Sequence, residues 1–483
     1  MLTYDLEQRG NCALYEYLYR CIKLDILDGA LAARSKLPSK RKLAKHHQVS
    51  LKTVENAYEQ LLTEGYIYAE EKRGYFVSPL ETDTGARQAR HQSHLPFTVH
   101  GTEAFSPAPA LPMTGAKNAA VFADFTSNQT AAEKFPYDTW AKLIRGILSQ
   151  GDAALLQRVP FEGLYDLRVS IARYLYGFRG MQVSPDQIIV GAGAEYLCGQ
   201  LISLLGRDRV YALEDPGYRK TARIYQTHGA SYDYIPVDEN GLCPEQLYAS
   251  AASVVHVSPG HHFPTGSIMP VARRQALLEW AEESAGRYII EDDYDSEFRF
   301  IRRPIPAIQS LRHNHRVIYM NTFSKTLTPA IQIGYMVLPN KLAEGYLSAM
   351  SGYSCTASVL EQHALAAFMD NGFFERHIHR MKKYYRAKRD QMLSVLEHSR
   401  LYPYVTVEEK DAGSHFLLHL RTPLSDTELK WLALENGVRL DCLSEYCAEN
   451  RAQRAHTIIV NYSGLSEADF QRALEVLTLA AVE

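Results

Sequence analysis

The sequence predicts a two-part α/β protein, with a small N-terminal head of helices and a hairpin followed by a large domain on a mostly parallel sheet. Three observations support this prediction. The chain has 483 residues, enough for more than one domain with a large core. Residues 79–118 are rich in Pro, Ala, Ser, Thr, Gly and His and show no sustained periodicity, which is typical of a linker. After them, short apolar runs alternate with helical patterns, as in a parallel sheet wrapped by helices.

Three helices are predicted in the head, residues 1–78. Apolar residues recur at helical spacing over 11–27, and Asp-Gly follows as a helix stop. Ser39 is placed to cap a second helix and Ser50 to cap a third, because each serine precedes a helical pattern. The third helix should bury one face, formed by Val54, Ala57, Tyr58, Leu61 and Leu62.

A hairpin and a basic segment complete the head. Residues 66–77 read as two short strands with a turn at 72–74. Between Arg34 and Lys52 the chain has seven Lys or Arg and no Asp or Glu, although the net charge of the protein is −3. A charge run most often marks a solvated face. Here it coincides with two capped helices and a wing, so we predict a winged helix-turn-helix that binds double-stranded DNA.

The large domain, residues 119–483, contains a predicted buried strand that ends in hydroxyl groups and a lysine. The apolar run 317–321 leads directly into Thr322, Ser324 and Lys325. A lysine held at the carboxyl edge of such a sheet can form a Schiff base with a carbonyl group, and the two hydroxyls can bind a phosphate. The same residues, taken alone, also fit a solvated lysine after a strand.

A second predicted strand, at 287–291, leads into a cluster of carboxylates that includes Asp292, Asp293 and Asp295. Pyridoxal phosphate requires a carboxylate beside its pyridine nitrogen, because the protonated ring is the electron sink. Carboxylates in a row could instead bind a divalent metal. No second cluster with matching ligand spacing is present in the sequence, so we predict no metal site.

These stretches resemble the fold-type I aminotransferases and, more closely, the MocR/GabR transcriptional regulators, which join such a domain to a GntR-type DNA-binding head. The matching motifs are EDPGYR at 214–219, HHFPTG at 261–266, EDDYDSEFRF at 291–300 and NTFSKTLTP at 321–329. Residues 37–77 look like the GntR winged head, so the resemblance covers nearly the whole chain. It implies a regulator that depends on pyridoxal phosphate and binds promoter DNA.

The resemblance also assigns roles in the cofactor site. Lys325, the predicted catalytic residue, would carry the cofactor as an aldimine, and Asp292 would pair with the pyridine nitrogen. Tyr294 would bond the phenolic oxygen, and Tyr218 would stack on the ring. The turn GAGAE at 191–195 lies at a predicted helix start, where backbone amides can bind phosphate. The predicted cofactor-binding residues are Gly193, Ala194, Tyr218, Asp292, Tyr294, Thr322, Ser324 and Lys325.

In the head, the predicted DNA-binding residues are Lys40, Arg41, Ser50, Lys52, Thr53, Arg73 and Gly74. The resemblance implies that the first two contact phosphates and that the next three face the groove, while the last two lie in the wing. Leu51 stands where the family commonly has arginine, and Glu55 where some relatives have a second one. Base preference therefore does not carry over.

Three further departures affect the substrate side. The family holds the substrate carboxylate with an arginine near the C-terminal end, since a guanidinium matches a carboxylate with two hydrogen bonds. Ile459 stands at that position, and Gln332 and Lys220 replace arginine at two others. The resemblance thus implies an intact cofactor half without its usual amino-acid clamp. Candidates for a re-sited clamp are Lys220, Arg439, Arg451 and Arg454.

We therefore expect a cytoplasmic regulator whose DNA binding responds to pyridoxal phosphate itself or to an amine or amino acid. Two alternatives stay open, an active aminotransferase with an accessory head and a DNA-binding scaffold with a dead cofactor fold. The N-terminus lacks the layout of a signal peptide, and no apolar run is long enough to span a membrane. The resemblance implies a head-to-tail domain-swapped homodimer. An extended 79–118 segment, at about 3.3 Å per residue, could span roughly 100 Å even with some slack.

Overall fold

The structure is a computed structural model that describes residues 2, 4, 6, 12–70, 73–79, 121–127, 130–300, 306–311, 314–408, 412–448 and 451–482. The predicted linker at 79–118 lies outside these residues apart from Pro79. Within the described part the chain forms two compact units, which are taken separately below. One contains the head and residues 269–279, and the other contains the rest of the large domain.

Three helices and a hairpin form the head. They are α1 (Leu14–Leu27), α2 (Lys40–His47), α3 (Leu51–Thr63), β1 (Ile67–Glu70) and β2 (Gly74–Val77). Both predicted caps are confirmed, because Ser39 Oγ accepts from the Lys42 N–H at 3.3 Å and Ser50 Oγ accepts from the Thr53 N–H at 3.1 Å. The strands β1 and β2 pair antiparallel, as the predicted wing requires.

The core of the head confirms the predicted face of α3. Val54, Ala57, Tyr58 and Leu61 are all buried, and they pack in one cluster with Leu18 and Ile22 of α1, whereas Leu62 is half-buried. A short left-handed turn at Gln48, where φ is +53°, redirects the chain between α2 and α3. The two helices therefore form a helix-turn-helix, and β1 and β2 follow as a wing.

An eight-stranded sheet forms the centre of the large domain. In spatial order its strands are β4 (Ile188–Gly191), β11 (Gly334–Val337), β10 (Val317–Thr322), β9 (Tyr288–Asp292), β8 (Val254–Val257), β5 (Val210–Asp215), β6 (Ser231–Asp238) and β7 (Gly241–Leu242). From β10 to β6 every neighbouring pair is parallel. Only β11, between β4 and β10, and β7, beside β6, pair antiparallel. The mostly parallel sheet is confirmed.

Helices surround this sheet. They are α4 (Tyr137–Ser149), α5 (Tyr165–Arg179), α6 (Gly193–Leu205), α7 (Arg219–Thr227), α8 (Pro244–Ala249), α9 (Val271–Glu282), α10 (Asn340–Met350), α11 (Val359–Asp370) and α12 (Phe373–Glu397). Alternate strand residues enter different cores, because Tyr319 packs with α5 and α11 while Ile318 packs with α6. In the described ranges, none of the helices is both long and apolar enough to cross a membrane.

A second, antiparallel sheet lies near the C-terminus. Its strands, in order, are β12 (Val405–Glu408), β13 (His415–Leu420), β16 (Thr457–Asn461) and β15 (Asp441–Cys442). Helices α12, α13 (Asp426–Glu435) and α14 (Glu467–Val482) contribute to the same core. A short parallel pair, β3 (Ala123–Asp124) with β14 (Val438–Arg439), connects the start of the domain to this region. The sequence analysis did not predict this sheet.

Candidate cofactor site and DNA-binding surface

A cavity of about 820 Å³ lies at the carboxyl ends of the parallel strands. This edge is where α/β sheets bind their ligands. One wall comes from the ends of β4, β5, β8, β9 and β10, and another from the C-terminal sheet region, through residues such as His415 and Asn461. All eight residues that the sequence predicted for the cofactor line this cavity. The fold therefore brings them together, while their individual roles stay predictions.

Lys325 follows β10 directly, and burial changes its chemistry. Loss of solvent disfavours the ammonium form and lowers the pKa of Lys325 to about 8, although the carboxylate of Asp295 acts in the opposite direction. At pH 7 about a tenth of such a group is neutral. The loop that carries the lysine is held by His377, whose Nε2 donates to the Thr326 carbonyl oxygen at 2.9 Å. Lys325 is therefore a positioned amine with a substantial nucleophilic fraction.

Asp292 ends β9 in the cavity wall. The parallel register sets it beside Met320 of β10, so Asp292 and Lys325 extend from adjacent strands. Its Oδ2 is 3.7 Å from His256 Nε2, and His256 Nδ1 is 3.0 Å from the Tyr225 hydroxyl. Asp292 is thus a half-buried carboxylate oriented by a second polar layer, which fits a partner for a pyridine nitrogen.

The other carboxylates of the cluster have separate structural partners. Glu291 accepts from the backbone N–H groups of Ile308 and Gln309, in a short 3-10 helix before β10, at 2.8 and 3.0 Å. Asp293 pairs with Arg179 at 2.6 Å, and Asp295 lies 2.8 Å from His261 Nδ1. Among the described residues, no group of three His, Cys, Asp or Glu side chains is arranged to hold a metal ion. Because Glu291, Asp293 and Asp295 have partners within the protein, Asp292 is the carboxylate of this cluster left for a pyridine nitrogen.

The start of α6 lies in the cavity wall and has features of a phosphate site. Gly193 begins α6 with φ at +84°, a left-handed conformation that favours glycine. A Cβ on Gly334 of β11 would lie 3.2 Å from the Gly193 Cα, so the turn and the strand approach closely. Thr322 and Ser324 line the cavity near this helix start, where free N–H groups favour an anion. The arrangement suits a phosphate, and the phosphate position stays a prediction.

Two tyrosines line the same cavity. The Tyr294 hydroxyl is 3.4 Å from His261 Nδ1, and burial with nearby carboxylates raises the pKa of Tyr294 well above its usual range. Tyr294 is therefore a neutral phenol that can donate a hydrogen bond. Tyr218 is half-exposed and meets Phe263 edge to face at 5.7 Å between ring centroids. These residues, with Lys325 and Asp292, supply the groups that pyridoxal phosphate requires.

Several lining residues were missed as single positions by sequence reasoning. Glu214 accepts from the Ser258 N–H at 3.0 Å, and burial raises the pKa of Glu214 to about 8. His415 stands on β13, and burial lowers its pKa to about 3, so its ring is neutral. Glu214 belongs to the EDPGYR motif, which gave a signal for it. His415 has no local signal, because it reaches the cavity only through the C-terminal sheet.

The three positions that depart from the family have different surroundings in the structure. Ile459 is buried on β16 and packs with Leu417 and Leu443. Gln332 lines the cavity in a left-handed turn with φ at +49°. Lys220 also lines the cavity and pairs with Glu195.

Two of the remaining clamp candidates, Arg439 and Arg454, lie outside the described cavity lining. Arg439 pairs with Asp124 at 3.0 Å and does not line the cavity. Arg454 is likewise absent from the described lining. The side chain of Arg451 lies outside the described residues. Of the four candidates, the structure therefore places only Lys220 in the described cavity wall.

The predicted DNA-binding residues occupy the start of α2, the start of α3 and the wing. Lys40 Nζ lies over the Tyr75 ring at 5.2 Å from its centroid, which connects the start of α2 to β2. Arg41 and Lys52 are exposed, and Arg73 pairs with Glu70 at 2.5 Å in the wing. The head thus carries an exposed basic surface next to the N-terminus of a capped helix, as phosphate binding requires.

Comparisons with known proteins agree with both domains. Residues 122–477 match the family described as aminotransferase class I and II, and residues 14–77 match bacterial regulatory proteins of the gntR family. The HTH-type transcriptional regulator YdeL of Bacillus subtilis is 34% identical over 479 residues, covering 99% of each chain. The probable rhizopine catabolism regulatory protein MocR of Rhizobium meliloti is 31% identical, with 98% of this chain and 95% of MocR covered.

A third relative and a solved structure extend this likeness. The pyridoxine biosynthesis regulator PdxR of Corynebacterium glutamicum is 30% identical over 86% of this chain and 85% of PdxR. The crystal structure of a multiple substrate aminotransferase from Thermococcus profundus superposes with a TM-score of 0.67 at 23% identity, covering 76% of this chain and 92% of that one. At that identity the likeness shows the fold alone. The chain belongs to the MocR-type transcriptional regulators, pyridoxal phosphate-dependent proteins in which a gntR-family DNA-binding head precedes a class I and II aminotransferase domain.

Proposed function

We propose that this regulator holds pyridoxal phosphate at Lys325 and changes its binding to promoter DNA when the cofactor, or an amine or amino acid that reaches it, occupies the cavity. The observation that carries the proposal is that all eight predicted cofactor residues line one cavity, in a chain whose head binds DNA. Bound pyridoxal phosphate supplies an aldehyde that captures amines and a ring that withdraws electrons. The residues of the chain determine what is captured and how it is held.

Each side chain has a distinct task in this proposal. Lys325 provides a neutral amine for covalent attachment, because burial lowers its pKa to about 8. Asp292 accepts a hydrogen bond from the ring nitrogen, and Tyr294 donates one to the ring oxygen. The N-terminus of α6, beginning at Gly193, binds the phosphate together with Thr322 and Ser324. Tyr218 covers one face of the ring.

The pKa of Lys325 gives a kinetic prediction. Only the neutral amine attacks an aldehyde, so the rate of pyridoxal phosphate capture should rise about tenfold per pH unit below the pKa. The rate should level off above the pKa of about 8, whereas a solvated lysine would continue to accelerate up to its ordinary value of 10.5. Stopped-flow absorbance between pH 6 and 10 measures this profile, and a rate still rising steeply at pH 10 would contradict the assignment.

The head gives a second prediction. Arg41→Ala should weaken binding to DNA of any sequence by roughly tenfold and lower the salt-dependence slope by about one, because one phosphate contact is lost. Fluorescence anisotropy with a labelled duplex across a salt series measures both quantities. The matched control is Arg20→Ala, which removes an exposed arginine from α1 that pairs with Glu16 at 2.8 Å. Equal losses for both variants would show that total charge, and not the position of Arg41, controls binding.

We also propose that the working unit is a head-to-tail domain-swapped homodimer in the cytoplasm, with a head at 1–78, a linker at 79–118 and a cofactor domain at 119–483. The composition and length of the 79–118 segment support this arrangement, since an extended tether of that length reaches well beyond one domain. Sedimentation of the full chain with and without cofactor tests the stoichiometry. A monomer at micromolar concentration under both conditions would exclude it.

A working aminotransferase is the second candidate. It is favoured by the same observation, because Lys325, Asp292, Tyr294 and Tyr218 line the cavity together. The test is the visible absorbance of the protein loaded with pyridoxal phosphate during addition of amines and amino acids, with assay of keto acids. A spectral response without keto acid supports a sensor, and sustained keto acid release supports the enzyme. If pyridoxal phosphate does not bind at all, the proposed function is wrong.

A further inference from the structure

The cations of the cavity wall are already engaged by carboxylates or by the proposed cofactor attachment. In the described residues, the lining has three basic side chains, Arg219, Lys220 and Lys325. The Arg219 guanidinium donates to the Glu445 carbonyl oxygen and lies 3.8 Å from the Glu445 carboxylate. Lys220 pairs with Glu195, which raises the pKa of Lys220 and keeps it charged. A ligand carboxylate would therefore have to share Arg219 with Glu445, or Lys220 with Glu195.

Acidic groups exceed basic ones in the same wall. The lining carboxylates among the described residues are Glu195, Glu214, Asp292, Asp295 and Glu445. Burial raises the pKa of Glu214 to about 8, so this carboxyl is largely uncharged at neutral pH. Without it, the described lining still has four carboxylates against three Lys or Arg side chains. Asp295 acts on the ammonium of Lys325, as the direction of its effect on that pKa shows. The local field therefore favours a cationic ligand and opposes an additional carboxylate.

An aromatic wall faces this charged region. Phe263 is its centre, meeting Tyr218 at 5.7 Å, His415 at 5.2 Å and Tyr446 at 5.4 Å between ring centroids, each at a steep angle. All four rings line the cavity. Behind Phe263 and Tyr446 lie the buried side chains of an apolar cluster, Leu417, Leu443 and Ile459. Edge-to-face rings supported by aliphatic packing suit an apolar or aromatic ligand body.

Neutral acceptors complete this surface. The Nε2 of His415 is 3.4 Å from the Pro264 carbonyl oxygen, so it carries the proton, and the ring is neutral. The Nδ1 of His415 then has a lone pair for a ligand N–H group. The Tyr ring faces add favourable sites for a cation. The wall thus offers hydrogen-bond acceptors and aromatic faces, which suit an amine. The carboxylate of an amino acid would need hydrogen-bond donors instead.

We propose that the effector is a primary amine with an aromatic or apolar body and no carboxylate, such as an arylalkylamine. This inference rests on the proposed function, in which an amine reaches pyridoxal phosphate at Lys325. The amine meets the cofactor beside Asp295, and its body lies against the wall formed by Tyr218, Phe263, His415 and Tyr446. An α-carboxylate on the same body would have to share cations that already lie beside carboxylates, in a wall where acidic side chains outnumber Lys and Arg.

Matched pairs of ligands test the inference on the full-length protein. Phenethylamine is compared with D- and L-phenylalanine, and tryptamine with D- and L-tryptophan, because the members of each pair differ only by the carboxylate. Pyridoxal phosphate binding is measured first, and Kd values then follow from the visible absorbance change. Each amine is expected to bind at least about tenfold more tightly than its amino acids. Equal or tighter binding of the amino acids, or no response to any compound, would overturn the inference while leaving cofactor binding intact.

A single substitution at an exposed position tests whether the pairing of Lys220 excludes a ligand carboxylate. Glu195 is exposed at the start of α6, and Glu195→Gln should release Lys220 without disturbing a core. The amino acids should then bind several-fold more tightly, and the amines should change less. An unchanged preference in this variant would contradict the argument that pairing of Lys220 excludes a carboxylate. Failure of the starting protein to bind pyridoxal phosphate would overturn both the proposed function and this inference.

Discussion

Lys325→Ala is expected to abolish covalent attachment of pyridoxal phosphate and to weaken its overall binding by roughly a hundredfold, or about 2.7 kcal/mol. The alanine has no amine. The other lysine in the described cavity lining, Lys220, pairs with Glu195 and therefore does not replace it. Visible absorbance reports the covalent link, and equilibrium dialysis reports the affinity. The variant should also lose the response of a promoter reporter to vitamin B6.

The control is Lys341→Ala, which removes an exposed lysine at the start of α10. It should bind the cofactor and regulate like the starting protein. A Lys325→Ala variant that retains the absorbance and regulates its promoter normally would remove the basis of the proposed function. A variant that loses absorbance but regulates normally would separate the head from the cofactor domain and favour the scaffold alternative.

Arg179→Met is expected to destabilise the large domain by about 3–5 kcal/mol. Arg179 ends α5, is almost wholly buried, and pairs at 2.6 Å with Asp293 in the loop after β9. The Tyr319 hydroxyl donates a hydrogen bond to the same carboxylate oxygen, Asp293 Oδ2, at 2.5 Å. Removal of the guanidinium leaves the Asp293 carboxylate buried with too few partners, and such a charge costs far more than the methionine regains in packing.

Urea unfolding followed by tryptophan fluorescence measures this loss, because all three tryptophans of the chain, Trp140, Trp280 and Trp431, belong to the large domain. The matched control is Arg173→Met on the same helix, where an exposed arginine pairs with Asp370 at 2.8 Å. That change should cost less than about 1 kcal/mol, since solvent screens the pair. Similar losses of unfolding free energy for the two variants would show that burial of the Arg179–Asp293 pair does not increase its contribution to stability.

Local patterns were sufficient to predict much of the architecture. The run at 317–321 is a strand because its residues are apolar and β-branched or aromatic, and β10 occupies Val317–Thr322. Ser39 and Ser50 cap helices because a hydroxyl followed by a helical pattern satisfies N–H groups that the helix leaves free. The stretches after β9 and β10 could be placed in one cavity because the ends of parallel strands converge at one edge of a sheet. The roles of the single cofactor residues came from the family resemblance and stay predictions.

Long-range pairing explains what the sequence did not reveal. The cluster after β9 looked like a set of equivalent carboxylates, but Asp293 pairs with Arg179 and Asp295 with His261, both distant in the chain. Such partners have no local spacing to detect. In the C-terminal sheet β13 pairs antiparallel with β16, about 40 residues further along the chain, and this sheet packs with α12 and α14. His415 was missed for the same reason.

The cavity belongs to two sheets at once, and this gives the ligand a mechanical role. Asp292 and the segment with Lys325 extend from the parallel sheet, whereas His415 and Asn461 stand on the antiparallel one. A molecule that contacts both walls links the two sheets. Its binding energy would favour the angle between the sheets at which all of its contacts are made. In the proposed function, a bound ligand would therefore fix the angle between the two sheets, and this angle would differ between the occupied and the empty protein.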